Sequence, residues 1–184
     1  MIIELLATIV IIFLAELADK TQLVIFSLGI KYRKPLQVFS GALLAHGIMD
    51  GIAIVAGSLV ASFFKIAFLK VGIAALFILI GIYMIFKEKK TKKVPPLIKN
   101  VFLAAFALIF LSEFGDKSQI AAGLLGAKYN LPLIVFAGTM LGLALAIGLN
   151  LLLGKRIAKF IGYEKAEKIA AGLFIVYGII FLLL

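Results

Sequence analysis

Six apolar stretches follow one another along the chain, and each is long enough for a helix to cross a lipid bilayer, which takes about 20 apolar residues. Hydrophobic residues make up 64% of the 184 residues, and the mean hydropathy is +1.21. A soluble domain of this size could not bury so much apolar surface. We therefore predict an all-α integral membrane protein with six transmembrane helices. The predicted spans cover residues 2–30, 36–62, 67–86, 99–127, 131–154 and 165–184.

The first and fourth spans are longer than a bilayer requires, which indicates either tilt or a local break in the helix. We expect the first span to remain in the protein, since it has neither the basic start nor the small-residue cleavage site of a signal peptide. A polar, proline-containing linker follows the third span. It divides the chain into a first unit of residues 1–86 and a second unit of residues 99–184, joined by residues 87–98.

Lysine and arginine residues are concentrated on one side of the predicted membrane. Of the nineteen, fourteen lie in the connections that follow spans one, three and five, and three lie in the connections on the opposite side. The positive-inside rule assigns the fourteen to the cytoplasm, so both termini are predicted outside in a multi-pass protein of the plasma (inner) membrane. The net charge of +10 is then a topology signal, and nucleic-acid binding is not expected.

The chain contains two copies of one three-helix unit, related by an offset of 97 residues. The segment FLAELADKTQ at 13–22 aligns with FLSEFGDKSQ at 110–119, and the similarity continues without a gap into the third helix of each unit. Because each unit has three spans, the second enters the membrane from the other side. This predicts an inverted-topology repeat, an architecture typical of secondary transporters that bind their substrates near the midplane.

Charged residues lie at the centre of the first and fourth spans, where an ionised group costs about 2.5–3.5 kcal/mol. Such groups normally pair, titrate or bind ions. On a continuous helix they fall within an arc of about 160° and form a polar stripe in each copy. We expect each lysine to pair with a neighbouring carboxylate when the site is empty. The stripe comprises Glu16, Asp19, Lys20 and Gln22 in the first copy, and Glu113, Asp116, Lys117 and Gln119 in the second.

The two stripes offer carboxylate, amide and hydroxyl oxygens, which suit hard cations such as Ca²⁺, Mg²⁺ or Mn²⁺. The chain has no cysteine and one histidine, so a dedicated copper or zinc site is not expected. A single motif of this kind could equally be a buried ion pair that locks two helices together. Two copies at the same depth favour a ligand site.

His46, Asp50 and Asn150 are polar candidates within the predicted spans that have apolar counterparts in the other copy. His46 and Asp50 are four positions apart on the second span, hence on one helix face, and Leu143 and Ile147 stand at the equivalent positions of the second copy. The pair is a candidate proton relay or an extra ligand, and a structural His–Asp pair is equally compatible with the sequence. Asn150 in the fifth span is expected to hold helices together.

The doubled E-x-G-D-(K/R)-(S/T) motif in two three-helix repeats resembles the Gdt-type cation transporter family, which includes bacterial manganese exporters and eukaryotic Golgi relatives. The resemblance covers essentially the whole chain. EFGDKS at 113–118 fits the pattern fully, whereas ELADKT at 16–21 has Ala18 in place of glycine. The resemblance implies transport of Mn²⁺ or Ca²⁺ in exchange for protons. It assigns Glu16, Asp19, Glu113 and Asp116 as cation ligands, helped by Thr21, Gln22, Ser118 and Gln119.

We expect the chain to export Mn²⁺ or Ca²⁺ from the cytoplasm, with the cation, protons and membrane lipid as its partners and no cofactor. Once the ion leaves, protons should replace it, because four crowded carboxylates face only two lysines. Glu16 and Glu113 are the expected proton carriers, since each aspartate lies beside a lysine. The alternatives are a transporter of another small cationic solute or amino acid and a membrane-embedded enzyme. The enzyme is disfavoured, because the spans contain no arginine and no Ser/His nucleophile arrangement.

Overall fold

The computed structural model is helical over the part of the chain that it describes, which comprises residues 1–17, 19, 21–63, 66–86, 100–160 and 163–183. These residues form eight helices and no strand, which confirms the all-α prediction. The predicted linker at 87–98 lies outside the described residues. The helices are α1 (Ile2–Leu17), α2 (Thr21–Tyr32), α3 (Pro35–Phe63), α4 (Ile66–Phe86), α5 (Val101–Glu113), α6 (Lys117–Tyr129), α7 (Pro132–Phe160) and α8 (Tyr163–Leu183).

The first and fourth predicted spans are each divided into two helices at the charged motif. The first ends at Leu17 and resumes at Thr21, and the fourth ends at Glu113 and resumes at Lys117. The prediction of one polar stripe along each span is therefore wrong. Where the helix stops, the residues before the break no longer have a fixed angular relation to the residues after it. The local break that the length of these spans indicated is confirmed.

Helices α2 and α6 end in the same way. Arg33 and Asn130, which are 97 residues apart, adopt left-handed backbone conformations with φ angles of 54° and 49°. The backbone N–H groups of these two residues donate to the carbonyls of Gly29 and Gly126, at 3.0 Å in both cases. This is the αL helix cap. A proline then starts the next helix, α3 or α7, at a first-turn position where its missing N–H costs nothing.

Helices α4 and α8 pack against each other along a seam in which equivalent residues exchange roles. A Cβ atom on Gly81 would lie 2.7 Å from the carbonyl oxygen of Ala171. In the reverse direction, a Cβ atom on Gly178 would lie 2.8 Å from the carbonyl oxygen of Ala74. Both pairs match at the offset of 97, so the same contact is made twice. Glycine is required at both positions, because any side chain would push the helices apart.

The same seam contains an aromatic contact between equivalent residues. Phe77 is fully buried and Phe174 is nearly so, and the centroids of their rings lie 5.6 Å apart. Tyr177 meets the ring of Phe77 edge-on at 5.0 Å. The remaining packing follows the same pairing, since α1 packs against α7 and α5 packs against α3.

Large apolar side chains cover the outer surface. Phe63, Leu133 and Leu152 are each more than 80% exposed. Contiguous apolar surface of this kind is an aggregation liability in water and the expected surface in lipid. Among the described residues, two helical segments are long and apolar enough to cross a membrane, Pro35–Phe63 and Pro132–Leu153. Both fall on predicted spans.

Candidate cation site at the two helix breaks

The two breaks have matching backbone geometry. The N–H groups of Asp19 and Asp116 each donate to the carbonyl of the glutamate three residues earlier, at 3.0 Å in both copies. Gly115 permits the second turn through its positive φ of 76°. Asp116 is the N-cap residue of α6, but its side chain makes no capping hydrogen bond. The carboxylate therefore remains available at a helix N-terminus, where the helix dipole favours negative charge.

Carboxylates of both motifs converge at the breaks. One oxygen of each of Asp19, Glu113 and Asp116 can be chosen so that all three lie within 4.8 Å of one another. Glu113 is buried, and the side chains of Asp19 and Asp116 are 12% and 14% exposed. Three such carboxylates repel one another unless a cation lies among them. The two halves of the chain therefore contribute to one acidic cluster, as the sequence predicted for these three residues.

Lys117 supplies a positive charge to this cluster. Its ammonium group is almost fully buried, contacts the carboxylate of Asp19, and lies 3.5 Å from the nearer oxygen of Asp116. Lys117 thus pairs with a carboxylate as predicted, but its closest partner is Asp19 of the other repeat and not its neighbour Asp116. Lys20, the equivalent residue of the first motif, and Ala18 lie outside the described residues.

Hydroxyl groups surround Glu113. The side chain of Thr21 donates a hydrogen bond across the repeat boundary to Oε1 of Glu113, and Ser112 donates to the same oxygen at 3.2 Å. Ser118 is buried next to Lys117, and its hydroxyl has no hydrogen-bond partner among the described residues. The Ser118 hydroxyl is therefore a candidate for an additional oxygen ligand. Ser112 was not identified from the sequence, because Ala15 occupies the equivalent position of the first motif.

Glu16, the fourth predicted ligand, is not one of the three clustered carboxylates. It is fully buried and accepts a hydrogen bond from Nε2 of Gln22 at 3.0 Å. Oε1 of Gln22 in turn accepts a hydrogen bond from Nδ2 of Asn150 at 2.9 Å. The second carboxylate oxygen of Glu16 is buried and, among the described residues, has no hydrogen-bond partner.

Gln119 is oriented differently from its counterpart Gln22. Its Oε1 accepts from the N–H of Gly115 at 2.7 Å, and its Nε2 donates to the carbonyl of Met49 at 3.2 Å. The amide thus stabilises the turn of the second break and ties it to α3. Of the predicted helper residues, Thr21 and Gln22 contact a predicted carboxylate ligand, and Gln119 bonds the backbone instead.

His46 and Asp50 lie on α3, and His46 is close to Glu16 of α1. Nε2 of His46 is 3.7 Å from a carboxylate oxygen of Glu16, and Nδ1 of His46 is 3.8 Å from Asp50. All three side chains are buried. Both carboxylate oxygens of Asp50 are without a hydrogen-bond partner in the described part of the chain. The i, i+4 spacing thus brings the pair to one helix face, next to the site.

Comparison with known proteins agrees with this geometry. The family model described as "Divalent cation/proton antiporter GDT1" matches residues 4–92 and 101–184. A protein of Vibrio cholerae serotype O1, whose name proposes it as a manganese exporter, is 33% identical over 169 residues, which cover 91% of this chain and 84% of that protein.

Two eukaryotic relatives are similar over about half of this chain. GDT1-like protein C17G8.08c of Schizosaccharomyces pombe is 37% identical over 95 residues, covering 52% of this chain and 33% of that protein. GDT1-like protein 5 of Arabidopsis thaliana is 38% identical over 96 residues, covering 50% of this chain and 41% of that protein. No solved structure matches the chain. With a family model that spans nearly its whole length and motifs that converge on one acidic cluster, the chain belongs to the GDT1 family of divalent cation/proton antiporters.

Proposed function

We propose that this chain exports Mn²⁺ or Ca²⁺ from the cytoplasm in exchange for protons. The observation that carries the proposal is the convergence of Asp19 from one repeat with Glu113 and Asp116 from the other, with carboxylate oxygens within 4.8 Å of one another. Carboxylate and hydroxyl oxygens are the ligands that both cations accept. The name of the Vibrio cholerae relative favours manganese, and the family description favours proton exchange.

The ligand set we propose begins with the three clustered carboxylates. Glu16 contributes the carboxylate oxygen that has no hydrogen-bond partner among the described residues, and Ser118 contributes its similarly unpartnered hydroxyl. Thr21 holds Glu113 in place through its hydrogen bond. Gln22 holds Glu16 in the same way. Mn²⁺ fits a mixed set of carboxylates and neutral oxygens, and the remaining positions around the ion are available to water.

Proton exchange follows from the charge of this set. A divalent ion neutralises two of the four carboxylates, and its departure leaves them in a water-poor region where uncompensated charge is costly. Protons then occupy the oxygens that the ion has left. We propose Glu16 and Glu113 as the proton carriers, because Lys117 contacts Asp19 and lies near Asp116. His46 and Asp50, next to Glu16, are the proposed route by which a proton reaches or leaves it.

We propose that the membrane architecture is six spans in two inverted repeats, with α1–α2 and α5–α6 as broken spans. The contacts of the α4–α8 seam, which are repeated at an offset of 97 residues, support this arrangement. Broken helices with a site at the break are typical of transporters built from inverted repeats. The fourteen basic residues assigned to the cytoplasm imply that both termini are outside.

The test is transport by the purified protein in proteoliposomes. Vesicles with a pH-sensitive dye inside are offered Mn²⁺, Ca²⁺, Mg²⁺ or Zn²⁺ in turn, and uptake is followed together with the internal pH. We expect Mn²⁺ or Ca²⁺ to enter while protons leave, in proportion to the ion taken up. Uptake of amino acids or organic cations with no response to any metal ion would overturn the proposal. Metal uptake without proton movement would remove the exchange and leave a uniporter or channel.

A further inference from the structure

Asn150 is a buried polar residue on an apolar helix segment. It is 2% exposed and is followed on α7 by Leu151, Leu152 and Leu153. An amide in such a place loses free energy unless it is hydrogen-bonded. It donates from Nδ2 to the backbone carbonyl of Gln22 and, at 2.9 Å, to the side-chain oxygen of the same residue. Both bonds go to one residue of the first motif.

Chemistry fixes the orientation of both amides in this chain of bonds. A backbone carbonyl can only accept, so the nitrogen of Asn150 must face Gln22. A carboxylate that accepts from an amide requires the nitrogen of Gln22 to face Glu16, which it does at 3.0 Å. The side-chain oxygen of Gln22 therefore points back to Asn150. The two amides thus form a directed chain from Asn150 through Gln22 to Glu16, while Oδ1 of Asn150 has no hydrogen-bond partner among the described residues.

The second repeat lacks this chain. At the offset of 97, the residue equivalent to Asn150 is Ala53. An alanine side chain offers no hydrogen-bond donor to Gln119, the counterpart of Gln22. Gln119 bonds the backbone of Gly115 and Met49. Glu113 accepts from the hydroxyls of Thr21 and Ser112. Glu16 accepts from an amide and Glu113 accepts from hydroxyls, and only the amide of the first motif has an asparagine as its partner.

We propose that Asn150 is a positioning residue for the cation site, acting through Gln22 on Glu16. Its two hydrogen bonds hold the Gln22 amide so that Nε2 bonds one oxygen of Glu16 and leaves the other oxygen to the cation. Because only the first motif has these bonds, the side chain of Glu16 is held in one rotamer before the cation binds, although the two motifs are nearly identical in sequence. This inference rests on the proposed function, since it assigns the role of Asn150 within the same site.

The experiment measures Mn²⁺ uptake rates in proteoliposomes at increasing Mn²⁺ concentration. Four proteins are compared: wild type, Asn150→Ala, Gln22→Ala and the double variant. Alanine stands at the equivalent position 53, so the repeat already tolerates it there. Loss of a group that orients a metal ligand typically costs about 10–100-fold in metal affinity. We expect Asn150→Ala to raise the KM about tenfold, with a change of less than about twofold in the maximal rate.

The double variant identifies the route of the effect. If Asn150 acts through Gln22, the KM of the double variant equals that of Gln22→Ala alone, because the second change removes nothing further. Thr139→Val is the matched control. Thr139 is a fully buried polar residue of α7, eleven positions away, whose hydroxyl has no hydrogen-bond partner among the described residues. The KM of the Thr139→Val protein should stay at the wild-type value.

An unchanged KM in Asn150→Ala, or effects of the two single variants that multiply in the double variant, would overturn the proposal while leaving cation transport intact. Wild-type protein without divalent cation uptake would instead overturn the proposed function and this inference with it. If Asn150→Ala does not assemble, Asn150→Leu preserves the branched shape without the donors, and the same KM increase is expected. Stabilisation of the purified variants by Mn²⁺, measured as the shift in Tm, gives the same comparison without transport.

Discussion

At the residue scale, the two motifs have nearly the same sequence and different surroundings. Glu16 accepts from an amide, whereas Glu113 accepts from two hydroxyls. Lys117 contacts the carboxylate of Asp19 in the other repeat more closely than that of its neighbour Asp116. One oxygen of Asp116 has no hydrogen-bond partner among the described residues. Asp116 is therefore the most direct target for a substitution that removes a charge from the cluster.

Asp116→Asn should greatly reduce transport without preventing folding. The amide keeps the shape of the carboxylate and removes one of the negative charges that attract the cation. Because Lys117 retains its contact with Asp19, the ammonium group is not left unpaired. We expect the rate of Mn²⁺ uptake to fall by at least about tenfold. The measurement is uptake in proteoliposomes, with the amount of folded protein checked by size-exclusion chromatography.

Glu4→Gln is the control for this change. Glu4 lies in the first turn of α1, where it pairs with the terminal amino group, and it is not among the predicted ligands. The same exchange of carboxylate for amide should leave uptake unaltered. A well-folded Asp116→Asn protein with full uptake would remove Asp116 from the ligand set. A protein that fails to fold would indicate that the ion pairs at the breaks are structural.

The apparent affinity for metal should decrease as the pH falls from 8 to 6. Carboxylates bind a cation in their ionised form, so protons and metal compete for the same oxygens. For each proton that the metal must displace, the apparent affinity falls by up to about tenfold per unit decrease in pH once the proton-bound form predominates. The measurement is the Mn²⁺ dependence of uptake, or of Tm, at several pH values. A pH-independent affinity would contradict the exchange mechanism.

Residue identities in the cluster could be predicted from the sequence, but several of their partners could not. The doubled motif predicted Asp19, Glu113 and Asp116. Charged residues inside apolar spans cost free energy, so they normally pair, titrate or bind ions. The contact of Lys117 with Asp19 joins residues 98 positions apart, and local spacing gives no information on such a pair. The same applies to the bond between Asn150 and Gln22, whose partner is 128 positions away.

At the element scale, the main departure from expectation is the division of two spans at the motif. The length of the first and fourth apolar stretches indicated a break, but residue periodicity does not reveal where a helix stops when both sides are apolar. Gly115 and the N-cap position of Asp116 are the local signals for the second break. In the proposed six-span architecture, a break frees backbone groups at mid-membrane depth, which is tolerated where they line a buried site.

The αL caps of α2 and α6 allow a stability test. Arg33 adopts φ of 54°, which costs a non-glycine residue about 1 kcal/mol or more, whereas asparagine, found at the equivalent position 130, tolerates this region. Arg33→Asn should therefore raise the Tm of the purified protein by a few degrees. Asn130→Ala should lower it, since alanine lacks this tolerance. Equal Tm values for Arg33→Asn and wild type would show that the cap contributes no strain.

At the scale of the whole molecule, charge distribution and repeat architecture lead to one topology. In the proposed architecture, three spans per repeat reverse the orientation of the second repeat, and the basic connections then fall on a single side. This part of the architecture depends on counting residues along the chain, and it stays a prediction from the sequence. The relative placement of α1 with α7 and α5 with α3 required the structure.

Because the chain has no cysteine, single cysteines can report on topology. We expect Leu184→Cys to react with a membrane-impermeant thiol reagent in intact cells, since the C-terminus is predicted outside. Lys92→Cys, in the predicted cytoplasmic linker, should react only after the cells are permeabilised. Labelling of Lys92→Cys from outside would reverse the proposed orientation. Wild-type protein, which cannot be labelled, is the control for both.

The seam between α4 and α8 has the character of a homodimer contact, in which one surface meets a copy of itself. Gly81 and Gly178 make the same approach from opposite sides, and Phe77 meets Phe174 between them. Two polypeptides could therefore recognise each other through this surface, with the linker serving only to raise their effective concentration. Fragments 1–86 and 99–184, co-expressed as separate chains, should assemble and restore metal-resistant growth to a sensitive host. Gly81→Leu in the first fragment should prevent that complementation.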